Sequence, residues 1–312
     1  MKELIIVSGP TAAGKSSVSV ELAKKISGEI ISADSMQVYR RMDIGTAKLS
    51  SEKMQGIPHH MIDILDPSQD FNVADFKARA DELIAKILSG GRIPIIAGGT
   101  GFYTQAVLYG VDFNDDETDE AVRKRIAGEA EKYGIEYISK KLEDEDPVSA
   151  GKYKGNLKRM IRALEYKELT GKKLSDKNEA EAGKEKVYDA VHFCLTMPRE
   201  ILYERINKRV DKMLEEGLLD EVKRLKEEGI SRDKNSMQAL GYKQLLSYLY
   251  GEVSYDEAVD NIKKETRHFA KRQITWFKGR KDIIFIDRSR FESDSDAADE
   301  MIRIIETVSS GL

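Results

Sequence analysis

Residues 5–16 read Ile5-Ile6-Val7-Ser8-Gly9-Pro10-Thr11-Ala12-Ala13-Gly14-Lys15-Ser16 and fit the pattern G-x-x-x-x-G-K-[ST], a loop that cradles phosphates. The apolar run at residues 4–7 reads as a buried strand leading in. Val18, Leu22 and Ile26 recur at helical spacing behind it. A chance glycine-rich turn accounts for neither flank, whereas strand–loop–helix is the context this loop requires. Gly9 and Gly14 let backbone amides approach phosphate oxygens with no Cβ in the way. The helix start adds free N–H groups and a partial positive charge. Pro10, Thr11, Ala12 and Ala13 form the arch between the glycines. Lys15 is a mobile point charge for a terminal phosphate, and the Ser16 hydroxyl can ligate Mg²⁺. The motif predicts a diphosphate or triphosphate site without saying which phosphates it holds.

With 312 residues, the chain is long enough for one large domain or two unequal ones. Its apolar runs are too short to span a membrane. Met1-Lys2-Glu3 leads straight into a strand, so no secretory signal is expected. Cys194 is the only cysteine, which excludes an intrachain disulfide and a cysteine-based zinc site. That usage suits a reducing compartment, and a cytoplasmic location is expected. The net charge of −4 argues against a nucleic-acid partner unless positive charge is concentrated locally.

Such a concentration exists. Residues 256–278 follow one long helical pattern, with Lys263, Lys264, Arg267, Lys271 and Arg272 set among Gln273, Trp276 and Phe277. A basic face ending in aromatics is a charge and stacking surface for nucleic acid. Residues 118–186 are also helical and heavily charged, with no evident strand. One helix carries Val122, Ile126, Ala130 and Tyr133; another carries Leu157, Ile161, Leu164 and Leu169 and stops at Gly171. An acidic turn at residues 112–117 separates this stretch from what precedes it. A solvated face remains the plain alternative for the charges of this stretch.

Two further segments belong near the phosphate loop. A second strand at residues 29–32 ends in Ala33-Asp34-Ser35-Met36-Gln37, and a third at 93–97 ends in Gly98-Gly99-Thr100-Gly101. Ligands of open α/β sheets bind beyond the carboxyl ends of the strands. Asp34 is therefore expected beside the P-loop, with a turn or cap residue as the alternative. The glycines permit close backbone approach to a ligand, and Thr100 offers a hydroxyl to a phosphate oxygen. His59 and His60 are adjacent, so they point to opposite sides of a strand and make a poor two-histidine metal site. His192 and Cys194 read as core residues of a strand at 187–197.

Taken in order, these segments carry a resemblance. The P-loop, Asp34-Ser35-Met36-Gln37-Val38-Tyr39, Asp43-Ile44-Gly45-Thr46-Ala47-Lys48, Pro58-His59-His60 and Gly98-Gly99-Thr100-Gly101-Phe102-Tyr103 are followed by Arg159-Met160-Ile161-Arg162-Ala163-Leu164-Glu165, Gly241-Tyr242-Lys243-Gln244 and Lys271-Arg272-Gln273-Ile274-Thr275-Trp276-Phe277. The chain resembles the bacterial tRNA dimethylallyltransferase (tRNA isopentenyltransferase) family over essentially its whole length. Eukaryotic members carry a C-terminal zinc finger, which one cysteine cannot supply.

The resemblance implies an α/β fold: a P-loop NTPase-like core with a parallel sheet flanked by helices, plus an all-helical insertion domain. The expected division is 1–113 and 187–312 for the core and 114–186 for the insertion. The implied reaction moves a dimethylallyl group from dimethylallyl diphosphate to the exocyclic N6 amine of the adenosine 3′ of the anticodon, with Mg²⁺ as cofactor. The P-loop would then hold a leaving group. Lys15, Thr100 and Arg209 would stabilise its charge, and Asp34 would accept the amine proton. Asp34, Ser35, Met36, Gln37 and Thr100 would line the base pocket. Arg123, Lys158, Arg159, Met160, Ile161 and Arg162 of the insertion, with Lys271, Arg272, Gln273 and Trp276, would contact the tRNA anticodon stem-loop. A monomer with no membrane partner is expected. The nearest alternative is an adenylate isopentenyltransferase acting on free nucleotide, which has little need of these basic helices. A small-molecule P-loop kinase would need an ATP-lid arginine pattern and a base pocket, neither of which is evident, and a plain ATPase an acidic strand end of Walker B kind, which is not found. A non-enzymatic tRNA-binding module would leave Lys15, Asp34 and Thr100 without a role.

Overall fold

The computed structural model describes residues 2–113 and 118–310. Residues 114–117 of the acidic turn lie outside them. Contacts divide the chain into two compact units, one of Met1–Leu108 with Tyr188–Leu312 and one of Tyr109–Val187.

The first unit begins with β1 (Leu4–Ser8), α1 (Lys15–Ile26), β2 (Gly28–Ser32), α2 (Ser51–Met54), β3 (His59–His60), α3 (Val73–Ser89), β4 (Ile93–Gly98) and α4 (Gly101–Leu108). The second unit contains α5 (Glu120–Tyr133), α6 (Ile135–Glu145), α7 (Pro147–Tyr153), α8 (Leu157–Thr170) and α9 (Leu174–Ala182). The chain then returns to the first unit as β5 (Ala190–Thr196), α10 (Arg199–Glu215), α11 (Leu218–Glu227), α12 (Tyr242–Leu249), α13 (Tyr255–Lys278), β6 (Ile284–Asp287) and α14 (Asp294–Ser310).

The six strands form one sheet in the order β3-β2-β4-β1-β5-β6, with every pairing parallel. Parallel strands require covered faces, which explains their near-continuous apolar runs. Alternate residues Ile5, Val7, Val191, Phe193 and Leu195 join Val18 and Leu22 of α1 and Met301 and Ile305 of α14 in one core. The intervening His192 and Cys194 point the other way, where Phe277 packs near both. Because β1 is central, its P-loop opens at the middle of the carboxyl edge, with the β4 and β2 loops on one side.

The sequence reading differs from this sheet at His59 and His60. These residues form a two-residue edge strand in register with Ile30 and Ile31, so the strand expected third is fourth. His59 Nδ1 lies 2.8 Å from the Ile57 carbonyl oxygen and His60 Nε2 lies 2.6 Å from Glu29 Oε2. Their ring nitrogens serve the sheet edge.

Helix boundaries follow local chemistry. The Asn72 side chain accepts from the backbone of Ala74 and Asp75 while Asp75 bonds back to the Asn72 N–H, and this capping box starts α3. Ser254 and Glu257 do the same for α13. In the second unit, Ile126, Ile138, Leu142, Met160 and Leu164 share a core of their own. The expected pair of helices there is joined by α6, α7 and α9, which short amphipathic stretches between charged residues had concealed. No helix among the described residues is long and apolar enough to cross a membrane.

Candidate active site

The P-loop is built as its residue types require. Gly9 has φ +142, and a Cβ there would lie 2.4 Å from the Leu195 carbonyl oxygen. Gly14 takes a left-handed conformation at the N-cap of α1. Ala12 is also left-handed, at φ 65, an uncommon conformation for a residue with a side chain. Its carbonyl accepts from Arg205 Nε at 3.0 Å, which ties the arch to α10. One turn further along α10, Arg209 Nη1 reaches Thr11 Oγ1 at 3.4 Å. The i, i+4 spacing aims both guanidinium groups at the same loop.

Lys15 curls back over the arch and donates to the Pro10 carbonyl at 2.8 Å. Burial, and then the Arg209 charge, lower its ammonium pKa to about 8. Burial and then Arg205 also press the Arg209 pKa downward. Positive groups crowded in low dielectric favour an anion between them. The first turn of α1 carries no acidic side chain to compete for that place. Ser16 is exposed in the same turn.

Asp34 and Thr100 meet beside this loop. Asp34 Oδ1 accepts from the Met36 N–H at 2.9 Å, so the carboxylate closes an Asx turn after β2. The Thr100 N–H donates to Ala33 O at 3.3 Å, which ties the loop after β4 to the residue before Asp34. A Cβ on Gly98 would lie 2.1 Å from that same oxygen, so glycine is needed there. Thr11, Asp34, Ser35, Met36, Thr100 and Arg209 line one cleft of about 360 Å³. Gln37 is not among its lining residues. Its amide accepts from Ser32 Oγ at 3.0 Å and donates to Thr46 O at 3.1 Å.

Two glycines also make room for packing within the protein. Space above Gly99 is filled by Gln273, whose Nε2 would stand 2.2 Å from an added Cβ. Space above Gly101 is filled by Trp276, with its Nε1 also 2.2 Å from an added Cβ. These glycines admit side chains of α13, and Gly99 also lines the cleft. Gln273 is 6 % exposed and bridges the loops: its Oε1 accepts from the Thr11 N–H and its Nε2 donates to Gly99 O, each at 2.9 Å.

The expected RNA-contacting residues divide by burial. Lys271, Arg272 and Trp276 are exposed and line an open groove of about 470 Å³ with His268 and Thr275. The Trp276 ring packs edge-on to Phe102, with centroids 6.4 Å apart, and stacks on the Arg280 guanidinium. In the second unit, Lys158 and Arg159 are exposed on α8. Met160 and Ile161 are not surface residues: they are 0 % and 8 % exposed and belong to the helical core, because the apolar face of α8 turns inward. Arg123 and Arg162 both pair with the buried Glu165, at 3.0 and 3.1 Å. Arg123 thereby ties α5 to α8, whereas Arg162 pairs within α8 itself.

Sequence reasoning missed Arg205, Glu221 and Tyr242 as working residues. Arg205 carried the signal of lying four residues before Arg209. Tyr242 lay in the segment Gly241-Tyr242-Lys243-Gln244 already singled out, but Glu221 carried no signal, since its partners are the distant Tyr242 hydroxyl and the backbone of residues 43–45.

A central P-loop beside the loop that carries Asp34, on a parallel sheet, is the architecture of a P-loop enzyme. The chain matches the family model described as IPP transferase over residues 37–280 and belongs to that family. Similar proteins include the tRNA dimethylallyltransferases of Lachnoclostridium phytofermentans, 49 % identical with 98 % of each chain covered, and of Bacillus cytotoxicus, 47 % identical with 98 % of this chain and 95 % of that one. Among solved structures, the tRNA isopentenylpyrophosphate transferase of Bacillus halodurans superposes with TM-score 0.75 at 43 % identity, covering 99 % of this chain and 98 % of that one. A eukaryotic dimethylallyltransferase acting on tRNA superposes with TM-score 0.82 at 31 % identity, covering all of this chain and 80 % of that one.

Proposed function

We propose that the protein transfers a dimethylallyl group from dimethylallyl diphosphate to the N6 amine of the adenosine 3′ of the anticodon in tRNA, releasing diphosphate. The observation that carries this reading is the one cleft in which Thr11 of the P-loop and Arg209 share a lining with Asp34 and Thr100. One wall suits a phosphate leaving group and the other a proton acceptor.

As the allylic C–O bond breaks, charge grows on the diphosphate oxygens. The P-loop amides, Lys15, Arg209 and the Thr100 hydroxyl stabilise it in a site already ordered before reaction. The adenine N6 forms the new bond to carbon and loses a proton to the Asp34 carboxylate. The base must leave the anticodon-loop stack to enter the cleft, and Ser35 and Met36 flank it there. Lys158, Arg159, Lys271 and Arg272 supply phosphate contacts, and Trp276 a stacking face. The similarity to enzymes named for tRNA, together with these exposed basic residues, favours tRNA over a free nucleotide as acceptor.

The donor chemistry suits Mg²⁺. No group of three or more His, Cys, Asp or Glu residues able to hold a metal occurs among the described residues. The exposed Ser16 hydroxyl fits an ion that keeps most of its shell as water and phosphate oxygen. When bound, the ion would neutralise charge on the diphosphate.

Transfer of label from dimethylallyl diphosphate tests the reading directly. Label should enter full-length tRNA at the expected adenosine, and free adenosine nucleotides should remain unlabelled. Labelling of nucleotide alone would move the protein to the adenylate class.

A further inference from the structure

Glu221 belongs to neither glycine loop, yet it is only 4 % exposed and surrounded by donors. From α11, its Oε2 accepts from the backbone N–H of Asp43 at 2.8 Å and of Ile44 at 3.0 Å. Its Oε1 accepts from the Gly45 N–H at 3.2 Å and from the Tyr242 hydroxyl. Three successive backbone N–H groups aimed at one carboxylate make an anion nest, filled here from within the chain. A buried carboxylate is costly unless its oxygens are met, and these four donors meet them.

The far side of the same loop faces the cleft. Gly45, Thr46 and Ala47 line it together with Asp34 and Met36. The loop has no helix or strand of its own. It is pinned from behind, because a Cβ on Gly45 would lie 2.4 Å from the Tyr242 ring and 2.8 Å from Leu218. The bond from Gln37 to Thr46 O links it to the segment that carries Asp34. The P-loop is held by other groups, Arg205, Arg209 and Gln273.

We propose that Glu221 is a positioning residue of the acceptor side: it holds residues 43–47 as the wall against which the acceptor base is seated. The proposal rests on a nucleobase acceptor entering this cleft, as argued above. It predicts separable effects on the two substrates, which a general role in folding does not.

Two variants approach the loop from opposite sides. Glu221→Gln puts an NH₂ where an oxygen accepts, and so sets donor against donor. Gly45→Ala leaves Glu221 in place but pushes the loop off Tyr242, and it carries the test should the first variant fail to fold. Three readouts are compared with wild type: KM and kcat for tRNA, calorimetric binding of inorganic diphosphate, and amide hydrogen exchange at residues 43–45. In both variants exchange should quicken and KM for tRNA should rise by about tenfold or more, a scale expected when a reacting group is misplaced. Diphosphate affinity should be unchanged. Wild-type tRNA kinetics despite quickened exchange would overturn the proposal. A parallel loss of diphosphate affinity would overturn it too, by making Glu221 a general structural residue. Should the wild-type enzyme label free nucleotide and not tRNA, the acceptor assigned above fails. The same KM comparison with nucleotide then decides the role of Glu221.

Discussion

The side-chain oxygen of Gln273 accepts a hydrogen bond from the backbone N–H of Thr11 across 2.9 Å, although 262 residues separate them. The same amide donates to Gly99 O. One buried side chain from α13 therefore sets the spacing between the P-loop and the loop that carries Thr100. Its donor and acceptor ends are both engaged within the protein, so its first role is to clasp these loops.

Replacing it with leucine leaves the Thr11 N–H and the Gly99 carbonyl without that partner. Each group left unsatisfied costs about 1–3 kcal/mol. Gln273→Leu should weaken inorganic diphosphate binding by roughly tenfold or more on that scale, as read by calorimetry. If only the KM for tRNA moves, Gln273 is an RNA contact.

Asp34 has two separable tasks. Its Oδ1 closes the turn to Met36, which an asparagine oxygen can also do. Asp34→Asn should therefore keep the thermal midpoint near wild type, while single-turnover transfer slows by roughly 10²–10⁴ through loss of the proton acceptor. Asp34→Ala should lose both. A normal single-turnover rate in the asparagine variant would assign proton removal to water or a diphosphate oxygen.

Lys15 supplies a pH signature. Burial and Arg209 lower its pKa to about 8, so the free protein loses this charge as pH rises through that value. Diphosphate affinity should then fall between about pH 7 and 9, with a proton taken up on binding at the upper end. The sign for stability is the reverse. The unfolded chain keeps this proton to about 10.5, so above about 8 it binds more protons than the folded chain, and this group's contribution to stability rises with pH. Lys15→Arg should flatten the affinity profile. The ligand's own ionisation is common to both proteins and cancels in the ratio of their dissociation constants.

The basic residues should divide in solution as they do in the structure. Neutralising Lys158, Arg159, Lys271 and Arg272 together should lower the salt slope of tRNA binding, measured by filter binding. The expected decrease is roughly 0.7 for each single-strand phosphate that the protein no longer neutralises. Arg123→Ala should act differently. It strips one partner from buried Glu165, so the thermal midpoint should drop while the salt slope changes little.

Much of this was legible because it is local. A strand, two glycines, a lysine and a helix start specify the P-loop through backbone conformation and short-range electrostatics, and these operate within the twelve residues 5–16. Asp34 and Thr100 could be placed beside the loop because a parallel sheet gathers its carboxyl ends on one edge. The helix stop at Gly171 was equally local. What lay beyond the sequence depends on which distant surfaces meet. Nothing local in Gly99 or Gly101 announces that α13 packs Gln273 and Trp276 over them. Met160 and Ile161 sit in a basic motif, but the apolar face of α8 buries them. Glu221 is one acid among many along α11 until the loop at residues 43–45 turns three N–H groups toward it. Local pattern determined the phosphate loop and its neighbours; tertiary packing decided which side chains hold those loops in place, because a buried hydrogen bond between residues far apart in the chain leaves no periodic trace in either segment.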